Sequence, residues 1–214
     1  MKRAKQLGWI MLLFLSNYTF AQKTISEGTL VYNIVIQTGN KEPQMADALE
    51  GAVTTVFIKG GLTRTDMVSA LGSETSIHDA KTGAAIILKE YSGQKLMYSL
   101  TKENWLSKNA KYQGIEFEYL NETAVVAGYN CKKAIAKLKD GSTFWVFYTP
   151  DLEVLNKEYD QSFKTLPGLA MQYEYNSGKM KFKYTVDKID FNPVSTSKFE
   201  TPKSGYRVMD YIEK

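Results

Sequence analysis

Residues 128–150 read GYNCKKAIAKLKDGSTFWVFYTP, and their reading decides the fold. Asp140-Gly141 at the centre signals a two-residue type I′ hairpin, because both central positions of that turn need positive φ. The turn predicts a register. Leu138 faces Thr143, Ala136 faces Trp145 and Ala134 faces Phe147 on one side; Lys137 meets Phe144, Ile135 meets Val146 and Lys133 meets Tyr148 on the other. Small residues opposite large aromatics make a fitted face, since cross-strand pairs are the contact unit of a sheet. The second strand, 144–148, is apolar on both sides and so has to be covered on both faces.

Outward from this hairpin the pattern stays at period two, which argues strands. Leu30, Tyr32, Ile34 and Ile36 alternate in a first strand. Segments 53–59, 62–69 and 73–78 read as further strands. Segments 84–91 and 95–100 form a hairpin around Ser92-Gly93-Gln94. Residues 43–49 suit a short helix with Pro43 in its first turn, and 101–109 a helical turn capped by Thr101. A loop covers 151–165; loops of that length are usually functional. A second hairpin follows, turning at Asn176-Ser177-Gly178. Met171, Tyr173 and Tyr175 share one face of its first strand; Met180, Phe182, Tyr184 and Val186 share one face of its second, opposite Lys179, Lys181 and Lys183. The expected fold is mainly β: a curved antiparallel half-barrel of roughly 9–11 strands with one or two short helices, because a sheet that size has to curl or split.

The N-terminus reads as a cleavable export signal over residues 1–21. Lys2, Arg3 and Lys5 are followed by nine apolar residues at 7–15 and by small residues at Thr19 and Ala21. The apolar run is too short to span a bilayer, which needs ~20 residues of helix, and no Cys stands at the cleavage point to carry a lipid. The expected organisation is a signal at 1–21 and one domain at 22–214, periplasmic or secreted, with no transmembrane segment. The chain carries 27 Lys and Arg against 23 Asp and Glu, and the signal holds three of the bases, so the rest is nearly neutral. A nucleic-acid binder needs a basic stripe, and none is present. Cys131 is the only cysteine, expected to be buried, as free Cys behaves as a small hydrophobe.

Three segments carry a family resemblance: GYNCKKA at 128–134, FWVFYTPDL at 144–152, and LPGL at 166–169. In that order they resemble secreted bacterial domains of the outer-membrane lipoprotein carrier (LolA/LolB-like) superfamily, and FETPKSGYRV at 199–208 is similar to how those domains end. The chain is also similar to the GLPGLI proteins, although Thr165 and Ala170 stand where that motif has its outer Gly and Ile. The resemblance spans about residues 27–211. It implies a half-barrel whose concave side is closed by helices or loops and, in the characterised carriers, holds acyl chains. It transfers no functional residue.

Catalytic chemistry is sparse. His78 is the single histidine, which excludes a multi-His metal site, and it is read as a polar surface residue of a Thr/Ser-rich strand. There is no GxSxG elbow, phosphate loop or GxGxxG. Glu116 and Glu118 share a strand face and read as solvated, as do Asp187 and Asp190. No enzyme, cofactor or metal is expected. The expected function is a binding module that holds a lipid, acyl chain or lipoprotein in an apolar concavity lined by Trp145, Phe147, Met171, Tyr173, Met180, Phe182 and Tyr184. The alternative is a cell-envelope interaction protein with a packed core, whose segments 101–114 and 151–166 hold a protein partner.

Overall fold

The computed structural model describes residues 22–38, 51–177 and 180–212, apart from the side chains of 37, 38, 177 and 180. The export signal expected at 1–21 and the helix expected at 43–49 lie outside these residues, as does part of the 176–178 turn.

Among the described residues fourteen strands follow in chain order: β1 (Lys23–Ile25), β2 (Glu27–Thr38), β3 (Val53–Lys59), β4 (Leu62–Ser69), β5 (Gly72–Asp79), β6 (Ala85–Tyr91), β7 (Gln94–Leu100), β8 (Glu116–Val126), β9 (Tyr129–Lys137), β10 (Thr143–Thr149), β11 (Leu152–Val154), β12 (Leu169–Ser177), β13 (Met180–Asp190) and β14 (Arg207–Met209). Among the described residues there is one α-helix, α1 (Lys102–Lys108). Its N-cap Thr101 and Asn104 form a reciprocal capping box, which satisfies two of the orphan donors at the helix start.

Twelve strands make one sheet in the order β14-β7-β6-β5-β4-β3-β2-β13-β12-β10-β9-β8, while β1 and β11 pair separately and in parallel. Every neighbouring pair in the large sheet is antiparallel except β14 with β7. The sheet does not close into a barrel. The long central pair β13–β2 shifts register between Val186 and Lys188; such a bulge increases local twist and bends the strand. Beyond β13 the chain crosses the outer face and ties down at several points. Glu27 Oε1 accepts from Lys59 Nζ at 2.5 Å and from Val194 N–H at 2.6 Å. Arg64 donates to the Lys198 carbonyl at 2.9 Å, and Lys198 Nζ lies 4.7 Å from the Phe57 ring centre.

The decisive hairpin forms, but its register differs from expectation by one residue. Thr143 faces Lys137, Phe144 faces Ala136, Trp145 faces Ile135, Val146 faces Ala134, and Phe147 faces Lys133. The turn is not type I′: of its central pair only Gly141 has positive φ, at 82°. Gly141 N–H donates to the Leu138 carbonyl at 3.0 Å, and Leu138 N–H to the Ser142 carbonyl at 2.9 Å. This is a three-residue loop, a turn followed by a left-handed glycine. Asp140 holds it, its Oδ1 accepting from Ser142 N–H at 2.8 Å and Ser142 Oγ at 2.6 Å. A one-residue slip moves every side chain to the other face. Here it turns Phe144, Val146 and Tyr148 inward and Trp145 and Phe147 outward.

The inner face is covered in three places. Around β2, β3 and β13, Leu30, Ile58 and Val186 pack with Ile25 of β1 and Leu152 and Val154 of β11. Around β6 and β7, Ala85, Ile87, Leu100 and Tyr98 pack under Trp105 of α1. Around β9, β10 and β12, Ala134, Val146, Tyr148 and Ala170 pack under Phe163 and Leu166 of the 151–166 loop. That loop is ordered by β11 and by 3-10 turns at Lys157–Tyr159 and Gln161–Phe163, capped by Asn156 and Asp160. The described residues contain no helix long and apolar enough to cross a membrane.

Candidate functional site

Between the inner face and its covering loops lies a cavity of about 320 Å³. Its sheet wall comes from Thr54 and Val56 of β3, Thr65 and Met67 of β4, Glu74 and Ser76 of β5, Tyr32 of β2, Tyr184 of β13, Tyr173 and Tyr175 of β12, and Phe144 of β10. Those seven strands are consecutive in the sheet. Laid flat they would spread over about 29 Å at the usual strand spacing, so the sheet has to curl for all of them to line one cavity. The opposite wall is Lys111 and Tyr112 of the 3-10 turn at Ala110–Tyr112, and Tyr159, Asp160, Ser162 and Phe163 of the 151–166 loop.

Tyrosines dominate this surface. Tyr173 stacks on Tyr184 with ring centres 4.7 Å apart, and meets Phe163 edge-on at 4.7 Å and Tyr32 at 6.0 Å. Tyr175 and Tyr184 share a hydroxyl–hydroxyl hydrogen bond of 3.1 Å. Tyr32 donates its hydroxyl to the Ala170 carbonyl at 3.0 Å. The Tyr159 hydroxyl is buried and has no side-chain partner among the described residues; the Ala170 backbone amide stands beside it. Burial raises the pKa of all five phenols, and the charge of Asp160 pushes each the same way.

Asp160 is the carboxylate of this cavity that lacks a cation. Its Oδ1 accepts from Ser162 N–H at 2.8 Å, as the cap of the Gln161–Phe163 turn. Burial pushes its carboxyl above the ordinary range, countered in part by its bonds to Ser162. Glu74, the other lining carboxylate, is paired with Lys89 at 2.9 Å. No ion pair reaches Asp160 among the described residues.

The seven residues expected to line the concavity divide. Tyr173 and Tyr184 do line it. Phe182 stands beside it, stacked on Tyr175 at 5.4 Å. Met171 is fully buried in the main core. Trp145 shares an outward row with Glu174 and Lys183, and the Lys183 ammonium lies 5.9 Å from its ring centre. Phe147 is likewise outward, with Lys133 Nζ at 5.8 Å. The Met180 side chain lies outside the described residues. Tyr32, Tyr159 and Asp160 were not among the expected residues: Tyr32 reads as an ordinary strand-interior position, and Tyr159 and Asp160 sit in an irregular loop with no periodicity.

His78 is a correction. Instead of lying on the surface it is 3 % exposed, its ring stacked on Trp105 at 4.7 Å and 16°. It follows Glu74 and Ser76 on the inner face of β5, and α1 covers that end of the sheet. Its Nδ1 has no partner among the described residues. Burial lowers its pKa below 6.5, against the charges of Glu158 and Asp79. The unfolded chain therefore takes up a proton near pH 6.5 that the folded protein refuses, and stability falls as pH drops through that value. One proton gives a slope of at most about 1.4 kcal/mol per pH unit. Urea unfolding at pH 7.5 and 5.5 should show this loss, and His78→Phe, which keeps an aromatic ring over Trp105, should remove most of it.

The other polar candidates are paired or solvated. Glu118 is exposed and pairs with Lys137 at 2.6 Å, and Glu116 is exposed beside it on β8. Asp187 is exposed, and Asp190 caps Asn192 N–H at 2.9 Å. Cys131 is buried, with its thiol pushed up to about 11 by burial. Among the described residues no group of three or more His, Cys, Asp or Glu could hold a metal ion.

No family model and no curated protein matches the chain. Among solved structures it is similar to PNGF-II in two crystal forms. One match has a TM-score of 0.45 and 15 % identity, covering 86 % of this chain and 31 % of that one. The other has 0.46 and 16 %, covering 87 % and 32 %. A third similarity is to MucB, with a TM-score of 0.39 and 8 % identity, covering 84 % of this chain and 58 % of that one. The chain thus spans about a third of the length of PNGF-II. These likenesses are distant, and the mainly β class rests on the sheet itself.

Proposed function

We propose that this is an exported, non-enzymatic binding module whose cavity holds the apolar body of an amphipathic ligand, such as a lipid. The observation that carries the reading is the aromatic-walled cavity of about 320 Å³ between curved sheet and loops. Ligand sites are concave, mostly apolar and lined by aromatic side chains with a few placed polar groups. Tyrosine suits such a wall because its ring supplies area and its hydroxyl a polar handle. The export signal and the resemblance to the lipoprotein carriers support the same reading. Of the segments expected to hold a protein partner, Trp105, Phe163 and Leu166 pack onto the sheet, while Leu106 and Leu155 stand exposed.

The test fills the cavity. Thr65 borders it from β4, and Trp is well suited to a strand. Thr65→Trp should keep the unfolding midpoint of the native protein while lowering its affinity for the neutral probe N-phenyl-1-naphthylamine at least tenfold. Equal binding of the probe by both folded proteins contradicts the reading.

A further inference from the structure

We infer that the polar end of the ligand is a primary ammonium group, seated between the Asp160 carboxylate and the tyrosine rings. This rests on reading the cavity as a binding site and names the chemistry of what it holds. Three observations converge. First, Asp160 lines the cavity and no Lys, Arg or His among the described residues pairs with it, whereas Glu74, Glu90, Glu118, Glu153 and Glu158 each have a lysine within salt-bridge distance. Asp160 is half-buried; a charge drawn out of water is ordinarily paired, and an incoming cation supplies the missing partner. Second, electron-rich rings border the same space. Tyr32 and Tyr173 come from the sheet and Tyr159 from the loop, and the faces of such rings attract cations. Third, the Tyr159 hydroxyl is buried in the same wall, and its one backbone neighbour is the Ala170 amide, which leaves a lone pair of the oxygen free. Its oxygen can accept an N–H, which a primary ammonium offers and a quaternary one does not.

The raised pKa of Asp160 has the same cause, its removal from water. An ammonium beside the carboxylate favours the ionised form. The cation can come from a free small amine or from the ethanolamine headgroup of a phospholipid, and the two are separable by experiment.

The test is a protein-observed NMR titration at pH 7.5 with n-butylammonium and its neutral counterpart 1-butanol, on the native protein and on Asp160→Asn. Asparagine keeps an Oδ1 to cap Ser162 N–H, so the loop stays in place. The expected result is that n-butylammonium shifts residues lining the cavity at least tenfold more tightly than 1-butanol. Asp160→Asn should abolish that preference. Dihexanoyl-phosphatidylethanolamine binding more tightly than n-butylammonium, with dihexanoyl-phosphatidylglycerol weaker, assigns the ammonium to a lipid headgroup; n-butylammonium binding more tightly than either lipid assigns it to a free amine. Equal affinity for n-butylammonium and 1-butanol, or a preference that survives Asp160→Asn, overturns the inference while leaving the cavity a binding site. Shifts confined to residues outside the cavity overturn both.

Discussion

Gly168→Ala is expected to destabilise the protein by about 3 kcal/mol, the upper end for forced overpacking. Gly168 belongs to the LPGL segment. Its flanking Leu166 and Leu169 are at most 1 % exposed, and they anchor the 151–166 loop to the sheet. A Cβ on Gly168 would stand 2.2 Å from the Thr149 carbonyl oxygen, 2.9 Å from its carbon and 3.1 Å from the Tyr148 ring. Two of those neighbours are backbone, so no rotamer change relieves the clash. Thr149 faces Leu169 in the β10–β12 ladder, and that end of the ladder has to open. Gly61→Ala is the control, because nothing lies within 4 Å of its added Cβ. Urea unfolding of both variants should show the large loss only at 168. A loss below about 1 kcal/mol at 168 would mean that the close approach does not hold the loop.

Tyr173→Ala is expected to cost a similar amount, about 3–4 kcal/mol, as aromatic-to-alanine truncations in cores do. The Tyr173 ring touches Tyr184 and Tyr32 on the sheet and Phe163 on the loop, so it bridges floor and cover. Each aromatic pair contributes about 0.5–1.5 kcal/mol beyond area burial, and truncation removes three. Tyr173→Phe keeps the ring in these contacts and should cost less than about 1 kcal/mol. Denaturant midpoints of the two variants separate the role of the ring from that of the hydroxyl. Similar small losses for both would show that the loop does not rest on this stack.

The strand content was legible because alternation is a local signal. Leu30, Tyr32 and Ile34 are buried on one face of β2 as their spacing predicts, and Thr101 caps α1 as its residue type predicts. Register was less legible. Asp140-Gly141 is compatible with both a two-residue and a three-residue loop. The choice was made by Asp140 bonding Ser142, which leaves a single left-handed position at Gly141. That one residue decides whether Trp145 or Phe144 faces the cavity, so the expected lining inherited the error at β10 and kept Tyr173 and Tyr184, whose strands do not depend on that turn. Thr54, Thr65 and Ser76 resemble a solvated face in sequence, and become a cavity wall only because the sheet curls and loops cover it. His78 looked solvated for the same reason: its cover, Trp105, lies on a helix 27 positions further along the chain. Asp160 and Tyr159 carry no periodic signal, and only the fold brings them to the sheet.

The most direct measurement is native mass spectrometry, with organic extraction, of the protein isolated without denaturation from the cells that make it, beside Thr65→Trp prepared identically. The account predicts a stoichiometric small-molecule adduct on the native protein, recovered in the extract and missing from the filled-cavity variant. The same adduct on both proteins, or a bare polypeptide mass for both, would contradict a ligand-holding cavity.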